Sequence, residues 1–219
     1  MPSSTRSVSK KTLRVLVTSG PTSVPIDAMR VITNRSTGEM GRLIVNRFLK
    51  AGARVTLLEG AVTTTTPISG AVCLCKFYTY KELQTALNKE LKRSYDVIVH
   101  AAAVSDFVLQ KTFKGKLGSN DKITLELVPA KKLVLDIKKK QPNTMLVGFK
   151  LEPDITRGRI MPKVASLFEK AGCDLVVINR SDARGYQAYI MRNDRSTTPI
   201  VDSKKKLVEM LINNCCTQL

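Results

Sequence analysis

The sequence of 219 residues has no tryptophan, a single histidine and no long uninterrupted apolar segment. A membrane-spanning helix needs roughly 18 or more consecutive apolar residues, so the sequence predicts no association with a membrane. The amino-terminal stretch, MPSSTRSVSKKT, lacks the apolar core of a secretory signal. We predict that residues 1–11 form a basic, flexible tail and that residues 12–219 form a single α/β domain.

The cysteine pattern argues against two kinds of structural site. The chain has five cysteines, an odd number, and no two of them are spaced as a CxxC pair. A disulfide framework and a paired-cysteine zinc site are therefore both disfavoured. Cys73 and Cys75 are two residues apart in a predicted strand, so they share one face, where we expect core thiols. Free thiols are typical of a reducing compartment, and we predict a cytoplasmic protein.

Acidic residues are scarce: 18 Asp and Glu face 36 Lys and Arg, for a formal net charge of +18. This excess favours anionic partners, either a nucleic-acid backbone or small phosphorylated substrates. Binding to single-stranded nucleic acid usually relies on aromatic side chains that stack on bases. Aromatic residues are only 5% of this chain and are not interleaved with its lysines. The composition therefore disfavours nucleic acid, and lysine runs are most simply solvated surfaces.

The chain is organised around the polar stretch 18–41, which reads TSGPTSVPIDAMRVITNRSTGEMG. An apolar strand pattern at 13–17 precedes it, and a helical pattern at 40–50 and a strand at 54–58 follow. This β–loop–α–β unit predicts a right-handed parallel crossover. The loop is longer than the usual βα connection of about 2–6 residues. In open α/β sheets such a loop lies at the carboxyl end of a strand, where ligands bind.

The same apolar patterns continue along the chain. They predict strands at 72–77, 95–100, 123–128, 145–149 and 174–179, helices at 81–91, 131–140, 163–171 and 204–212, and a hairpin that joins 188–191 to 199–201. We predict a Rossmann-like, doubly wound, mostly parallel sheet with helices on both faces and a C-terminal antiparallel addition. The Lys- and Gly-rich segment 107–121 is the predicted flap. The dinucleotide fingerprint GxGxxG is absent.

Four segments, taken in order, resemble the phosphopantothenate–cysteine ligase family, also called phosphopantothenoylcysteine synthetase. They are TSGPTSVPIDAMRVITNRSTGEMG, HAAAVSDF, VGFKLEPD and CDLVVINRSD. The resemblance covers nearly all of residues 12–212, and it is to a stand-alone form, since no flavin-dependent decarboxylase segment precedes it. It identifies residues 12–219 as a nucleotide-binding ligase domain.

The resemblance implies an amide-forming reaction of coenzyme A synthesis. A nucleoside triphosphate activates the carboxylate of 4′-phosphopantothenate as an acyl-nucleotidylate, and the amine of L-cysteine then attacks to give phosphopantothenoylcysteine. The family implies a homodimer, and Mg²⁺ that accompanies the triphosphate without dedicated protein ligands. Bacterial members mostly use CTP and the eukaryotic type accepts ATP. This chain mixes the features of both, and CTP is favoured.

The resemblance also implies roles for individual residues. Asn34 corresponds to the family's asparagine of the acyl-intermediate step, and Arg30 to a phosphate or carboxylate clamp. Lys114 or Lys116 corresponds to the flap lysine that reaches the triphosphate. The implied substrate-binding residues are Arg35, Ser36, Thr37 and Gly38. The implied nucleotide-binding residues are Gly20, His100, Ala101, Ala102, Asp106, Lys131, Lys132, Phe149, Lys163 and Lys170.

Two other functions remain open from the residues. A basic α/β protein that binds nucleic acid without catalysis has only the net charge in its favour. A nicotinamide oxidoreductase is disfavoured because the chain lacks both GxGxxG and a Tyr-xxx-Lys pair.

Overall fold

A computed structural model describes residues 12–118, 120 and 122–217. The predicted basic tail, residues 1–11, lies outside the described residues. The strands are β1 (Arg14–Ser19), β2 (Ser23–Pro25), β3 (Val31–Thr33), β4 (Arg54–Glu59), β5 (Cys73–Lys76), β6 (Val97–His100), β7 (Phe107–Leu109), β8 (Leu127–Pro129), β9 (Met145–Leu151), β10 (Leu175–Asp182) and β11 (Gly185–Arg192). The helices are α1 (Glu39–Lys50), α2 (Tyr80–Glu90), α3 (Ile137–Lys140), α4 (Arg157–Glu169) and α5 (Lys204–Thr217).

The main sheet has seven strands within the described residues, in the order β5-β4-β1-β6-β9-β10-β11. All neighbouring strands are parallel except β10 and β11, which are antiparallel. The chain moves outward from β1 to β4 and β5, then returns through α2 to β6 on the opposite side of β1. The strand order therefore reverses between β1 and β6, as in doubly wound folds. The predicted fold class is confirmed.

Alternation along the strands divides the apolar side chains between two cores. In β1, Val15 and Val17 face the core that α1 and α5 cover, whereas Leu16 faces the core under α2 and α4. All three side chains are fully buried. Strands buried on both faces are expected to be almost entirely apolar, which is why the sequence pattern predicts them well. Among the described residues, no helix has the length and apolarity needed to cross a bilayer.

Two short hairpins stand beyond the carboxyl edge of the main sheet. β2 pairs with β3, and β7 pairs with β8, both antiparallel. The β7–β8 hairpin encloses most of the predicted flap at 107–121, of which residues 119 and 121 lie outside the described part of the chain. These hairpins surround the edge where the strand order reverses.

Several predicted boundaries differ from the structure. The strand expected at 123–128 is only β8, Leu127–Pro129. The helix expected at 131–140 is a 3₁₀ turn, Leu133–Asp136, followed by the single turn of α3. The helix expected at 163–171 is α4, which begins at Arg157 and contains Pro162. Burial of an apolar face along α4 outweighs the local cost of the proline.

The C-terminal antiparallel addition is present, but its main pair differs from the predicted hairpin. Strand β11 pairs along its length with β10. The predicted contact between 188–191 and 199–201 survives as a bridge, in which Ala188 and Val201 exchange backbone hydrogen bonds of 2.9 and 2.8 Å. Gly185 starts β11 with a φ of 98°, a conformation that favours glycine and permits the tight turn from β10.

The prediction of core thiols at Cys73 and Cys75 is wrong. Both cysteines are exposed. They lie in β5, the edge strand of the sheet, whose four residues are all exposed. Two cysteines on one face of a strand are buried only if a helix or another sheet packs on that face. Among the described residues, none packs on β5 closely enough to bury them.

A buried ion cluster lies at the carboxyl end of β4. The Glu59 side chain is fully shielded from solvent, and it accepts hydrogen bonds from Arg42 Nε at 2.7 Å and from Lys76 Nζ. Burial alone raises the pKa of the Glu59 carboxyl, but the hydrogen bonds from Arg42 and Lys76 outweigh it, and the pKa is lowered from its ordinary value of 4.5. The cluster ties α1, β4 and β5 together.

We expect Glu59→Gln to lower the free energy of unfolding by about 3 kcal/mol, because it leaves a partly buried cation without its charge partner. The carboxylate has a lowered pKa in the folded state, so its stabilisation is present above the ordinary pKa and is lost as pH falls below it. Denaturant unfolding at a series of pH values measures both effects. Glu209→Gln, at an exposed site on α5, is the control. An equal loss of stability in both variants would contradict the prediction.

Candidate active site

The carboxyl ends of β1 and β6 stay paired beyond the sheet. Ala103 N donates to Gly20 O at 2.9 Å, Thr22 N donates to Ala103 O at 3.2 Å, and Pro21 and Ala103 form a parallel bridge. Ala102 N also donates to Thr18 Oγ1 at 3.2 Å. In many doubly wound folds the crevice opens where the strand order reverses. Here these bonds close that position, and the opening lies one strand further along.

A cleft of about 430 Å³ lies at the carboxyl ends of β6 and β9. Its walls come from the loop after β6, from the segment around the 3₁₀ turn, and from α4. Its described lining residues are His100, Ala102, Val104, Ser105, Asp106, Lys131, Lys132, Leu133, Val134, Leu135, Gly148, Phe149, Lys150, Lys163, Ser166, Leu167 and Lys170.

The structure brings most of the predicted nucleotide-binding residues into this one cleft. Eight of the ten are in its lining: His100, Ala102, Asp106, Lys131, Lys132, Phe149, Lys163 and Lys170. The other two, Gly20 and Ala101, lie just behind it, in the paired ends of β1 and β6. Residues separated by up to about seventy positions thus share one cavity of a size typical for small-molecule sites.

The cleft has one apolar wall and one cationic wall. Phe149 and Leu135 represent the apolar wall, where the flat face of a base could pack. Five lysines contribute to the lining, and Asp106 is the one carboxylate among the described lining residues. The lining therefore suits a ligand that is part aromatic and part anionic.

The cleft lysines differ in how firmly they are held. Lys132 pairs with Asp106, and Lys131 pairs with Asp136 at 2.6 Å. Lys170, on the carboxyl-terminal side of α4, forms no ion pair with another described residue. Lys131 and Lys132 thus each have a carboxylate partner, whereas Lys170 has none among the described residues.

Lys150 lines the cleft and Glu152 pairs with two of the lining lysines, but both residues are absent from the predicted set. Glu152, just after β9, pairs with Lys163 of α4 and with Lys150 at 3.2 Å. Hydrogen bonds from Lys163 and then from Lys150 lower the pKa of the Glu152 carboxyl, although burial raises it. A Lys-x-Glu pattern at a strand end is the only trace of this arrangement in the sequence, since Lys163 comes from a separate element.

Asn34 lies at the edge of the cleft rather than in its lining. Its Nδ2 donates to Ala103 O at 3.0 Å, and Ala103 stands between the lining residues Ala102 and Val104. Asn34 directly follows β3, so the β2–β3 hairpin positions it against the loop after β6. A side-chain amide has two N–H groups, and this contact uses one of them.

The predicted substrate-binding residues 35–38 form the approach to α1. Gly38 has a φ of 77°, and a Cβ there would come within 2.2 Å of Val62 Cγ1, so only glycine fits. Ser19 Oγ donates to Gly38 O at 3.1 Å. Gly38 gives α1 no side-chain cap among the described contacts. Arg35, Ser36 and Thr37 precede this helix start.

Arg30, Lys114 and Lys116 are absent from the described lining of the cleft. Arg30 Nε donates to Asp27 Oδ2 at 3.0 Å, and its NH2 group donates to Leu117 O at 2.8 Å. Lys114 and Lys116 are exposed and do not line the cleft. Among the predicted catalytic residues, the structure thus brings Asn34 to the edge of the cleft and places Arg30, Lys114 and Lys116 in a separate group from the nucleotide-binding lysines.

Fold and cleft together define the class: a doubly wound α/β protein with a lysine-lined cleft at the carboxyl edge of its sheet. Residues 10–216 match the model of the family described as DNA/pantothenate metabolism flavoprotein C-terminal domain, and the chain belongs to that family.

Relatives and solved structures agree with this placement. The chain is 38% identical over 173 residues to the coenzyme A biosynthesis bifunctional protein CoaBC of Thermococcus kodakarensis. The aligned region covers 78% of this chain and 42% of that relative. The chain spans about half the length, or less, of the curated CoaBC relatives it matches.

Two solved structures share the fold. The DNA/pantothenate metabolism flavoprotein from Streptococcus pneumoniae has a TM-score of 0.83 at 24% identity, over 94% of this chain and 100% of that one. A Cab2 variant in complex with phosphopantothenate-cysteine has a TM-score of 0.78 at 21% identity, over 94% of this chain and 86% of that one.

His100 is buried at the base of the cleft. Its Nδ1 and Thr18 Oγ1 share a hydrogen bond of 3.0 Å. Burial lowers the pKa of the imidazole from its ordinary 6.5 to about 4. The ring is therefore neutral at physiological pH and contributes no charge to a bound anion.

We expect the imidazole of His100 to titrate with a pKa of about 4, well below the ordinary value of 6.5, because burial disfavours its charged form. The chain has one histidine, so its ring signals in a two-dimensional NMR titration need no assignment. Denatured protein provides the unperturbed control. A midpoint close to 6.5 in the folded protein would contradict the predicted burial.

Proposed function

We propose that this chain is a phosphopantothenate–cysteine ligase, which joins 4′-phosphopantothenate to L-cysteine through an acyl-nucleotidylate. The observation that carries the proposal is the gathering of eight predicted nucleotide-binding residues in one cleft, with Asn34 bound at its edge. The names of the CoaBC relatives and the ligand of the Cab2 structure support it.

The nucleoside triphosphate occupies the lysine-lined cleft in this proposal. Its base packs on the wall that contains Phe149, and its phosphates meet Lys163, Lys170 and the other ammonium groups. Magnesium enters with the triphosphate as part of the substrate. Asp106 is the one carboxylate in the described lining, which fits a hard cation held mainly by phosphate oxygens and water. CTP is the favoured nucleotide and ATP the alternative.

In the first half-reaction, a carboxylate oxygen of phosphopantothenate attacks the α-phosphorus. The new O–P bond forms as the bond to pyrophosphate breaks, and negative charge builds on the phosphate oxygens. The site needs little acid–base chemistry for this step, which agrees with the neutral, buried imidazole of His100. Cations held in place around those oxygens supply the stabilisation.

In the second half-reaction, the amine of cysteine attacks the acyl carbon and the nucleoside monophosphate leaves. The acyl oxygen carries negative charge in the tetrahedral intermediate. Asn34 Nδ2 is anchored to Ala103 O, so its second N–H is the available donor to this oxyanion. An anchored donor is already oriented before the charge develops, which is the condition for effective stabilisation.

The 4′-phosphate of the substrate binds at residues 35–38 in this proposal. Arg35 carries a full positive charge, Ser36 and Thr37 carry hydroxyls, and the backbone N–H groups at the start of α1 have no side-chain cap at Gly38. Thr37 Oγ1 accepts from Glu39 N at 3.4 Å. The other N–H groups of the first helical turn suit a phosphate. The assignment gives the two phosphate-bearing ligands separate binding residues along the carboxyl edge.

We also propose that the ligase acts as a homodimer. Large apolar side chains are exposed on the two hairpins beside the cleft: Met29 and Val31 around β3 are 71% and 52% exposed, and Phe107 of β7 is 49% exposed. A second copy that covers these side chains would remove them from water.

Pyrophosphate release tests the proposed reaction. We expect release that depends on phosphopantothenate, that is faster with CTP than with ATP, and that occurs once per site without cysteine, because the acyl-nucleotidylate forms before the amine attacks. Addition of cysteine should give multiple turnovers and phosphopantothenoylcysteine, detected by mass spectrometry. Absence of release with both nucleotides would contradict the proposed function.

Asn34→Asp tests the oxyanion donor. We expect the cysteine-dependent step to slow by about 10²-fold or more, because a carboxylate replaces the donor, while the first burst of pyrophosphate persists. Asn46→Asp is the matched control, since Asn46 of α1 also donates its Nδ2 to a backbone carbonyl of a loop, Pro67 O, at 2.8 Å, but lies outside the cleft. Equal loss of both half-reactions in Asn34→Asp would contradict this role.

A further inference from the structure

The carboxylate of Asp27 binds two separate parts of the chain, one with each oxygen. Its side chain is fully shielded from solvent. Oδ1 accepts from the backbone N–H groups of Met29 and Arg30, both at 2.8 Å. Oδ2 accepts from the Arg30 side chain and from Leu117 N at 3.0 Å. Oδ1 therefore closes a local turn, whereas Oδ2 reaches a segment 90 residues away.

Three more hydrogen bonds connect the same two segments. Phe113 N donates to Ile26 O at 3.0 Å, and Ala28 N donates to Gly115 O at 3.0 Å. Arg30 NH2 donates to Leu117 O at 2.8 Å, so Arg30 and Asp27 together satisfy both backbone groups of Leu117. Residues 113–117 are thus attached to residues 26–30.

The attached residues alternate with the two candidate flap lysines. Phe113, Gly115 and Leu117 make the hydrogen bonds, while Lys114 and Lys116 between them are exposed. Phe113 and Leu117 are also partly buried. The attachment therefore holds the backbone on both sides of each lysine and leaves both side chains exposed, without an ion pair to another described residue.

We propose that Asp27 is a positioning residue, which fastens residues 113–117 to the loop after β2 and so holds Lys114 and Lys116 ready for the triphosphate. The catalytic consequence rests on the proposed ligase function. The attachment itself rests only on the contacts of Asp27, so the two can fail separately.

Asp27→Asn separates the two roles of the carboxylate. Asparagine closes the same local turn with its carbonyl oxygen, because Asn and Asp both accept from the backbone two residues on. Its NH₂ group replaces Oδ2, and it cannot accept from Leu117 N or from Arg30. A purely local role for Asp27 predicts little change in this variant, whereas the proposed role predicts release of residues 113–117.

The matched control is Asp182→Asn. Asp182 accepts from its neighbour's backbone, Arg184 N, at 2.9 Å, and it also accepts from the Arg184 guanidinium at 3.1 and 2.6 Å. It therefore repeats the local turn and the arginine pairing of Asp27, but it accepts from no backbone N–H group of a distant described segment.

Limited trypsin digestion with mass analysis of the fragments reads the attachment directly. We expect cleavage after Lys114 and Lys116 to accelerate about tenfold in Asp27→Asn and to match the wild type in Asp182→Asn, because only the first variant loses charge-assisted bonds to this segment. Unchanged cleavage at both lysines in folded Asp27→Asn would overturn the proposal.

Hydrogen exchange on the wild-type protein covers the case in which Asp27→Asn fails to fold. The amides of Phe113 and Leu117 should be protected, and exchange at Leu117 with the rate of a free peptide would overturn the proposal.

In the ligase assay, Asp27→Asn should raise the nucleotide KM or lower kcat about tenfold, as should replacement of both lysines. Faster cleavage combined with a wild-type protein that lacks ligase activity would refute the proposed function and leave the attachment established.

Discussion

The pairing of β1 and β6 beyond the end of the sheet governs the geometry of the whole carboxyl edge. Ala103 accepts from Thr22 N and from Asn34 Nδ2, and its own N–H donates to Gly20 O. Three segments of the chain meet at this one residue. Because the pairing fills the position where the strand order reverses, the cavity lies between β6 and β9, where α4 supplies lysines and β9 supplies Phe149. The hydrogen bonds at Ala103 therefore connect the loop that carries Asn34 directly to the segment that lines the cleft.

The parts of the fold that the sequence predicts are those set by local pattern. Val15, Leu16 and Val17 show that β1 is buried on both faces, and the loop after them marks the ligand edge. Cys73 and Cys75 show the limit of the same reasoning, because two-residue spacing identifies a shared face but not what covers it. Whether a strand lies at the edge of a sheet depends on the order of all the strands.

The candidate site shows a similar division. The lysines of α4 and the loop after β6 could be named from sequence, since each lies in a recognisable segment. Lys150 and Glu152 could not, because their role depends on Lys163 approaching from another element. Asp27 is visible in the sequence as one polar residue of a long loop, and only the fold shows that Leu117 reaches it.

The ion pairs inside the cleft have a consequence for how it would respond to ionic strength. Lys132 and Lys163 already have carboxylate partners, Asp106 and Glu152, before any ligand arrives. An incoming polyanion then exchanges places with side chains of the protein rather than with dissolved counterions. Attraction between free charges weakens steeply as salt is added. Replacement of a carboxylate by a phosphate at Lys132 and Lys163 changes the number of bound counterions less, so these two lysines would add little to the salt dependence of anion binding.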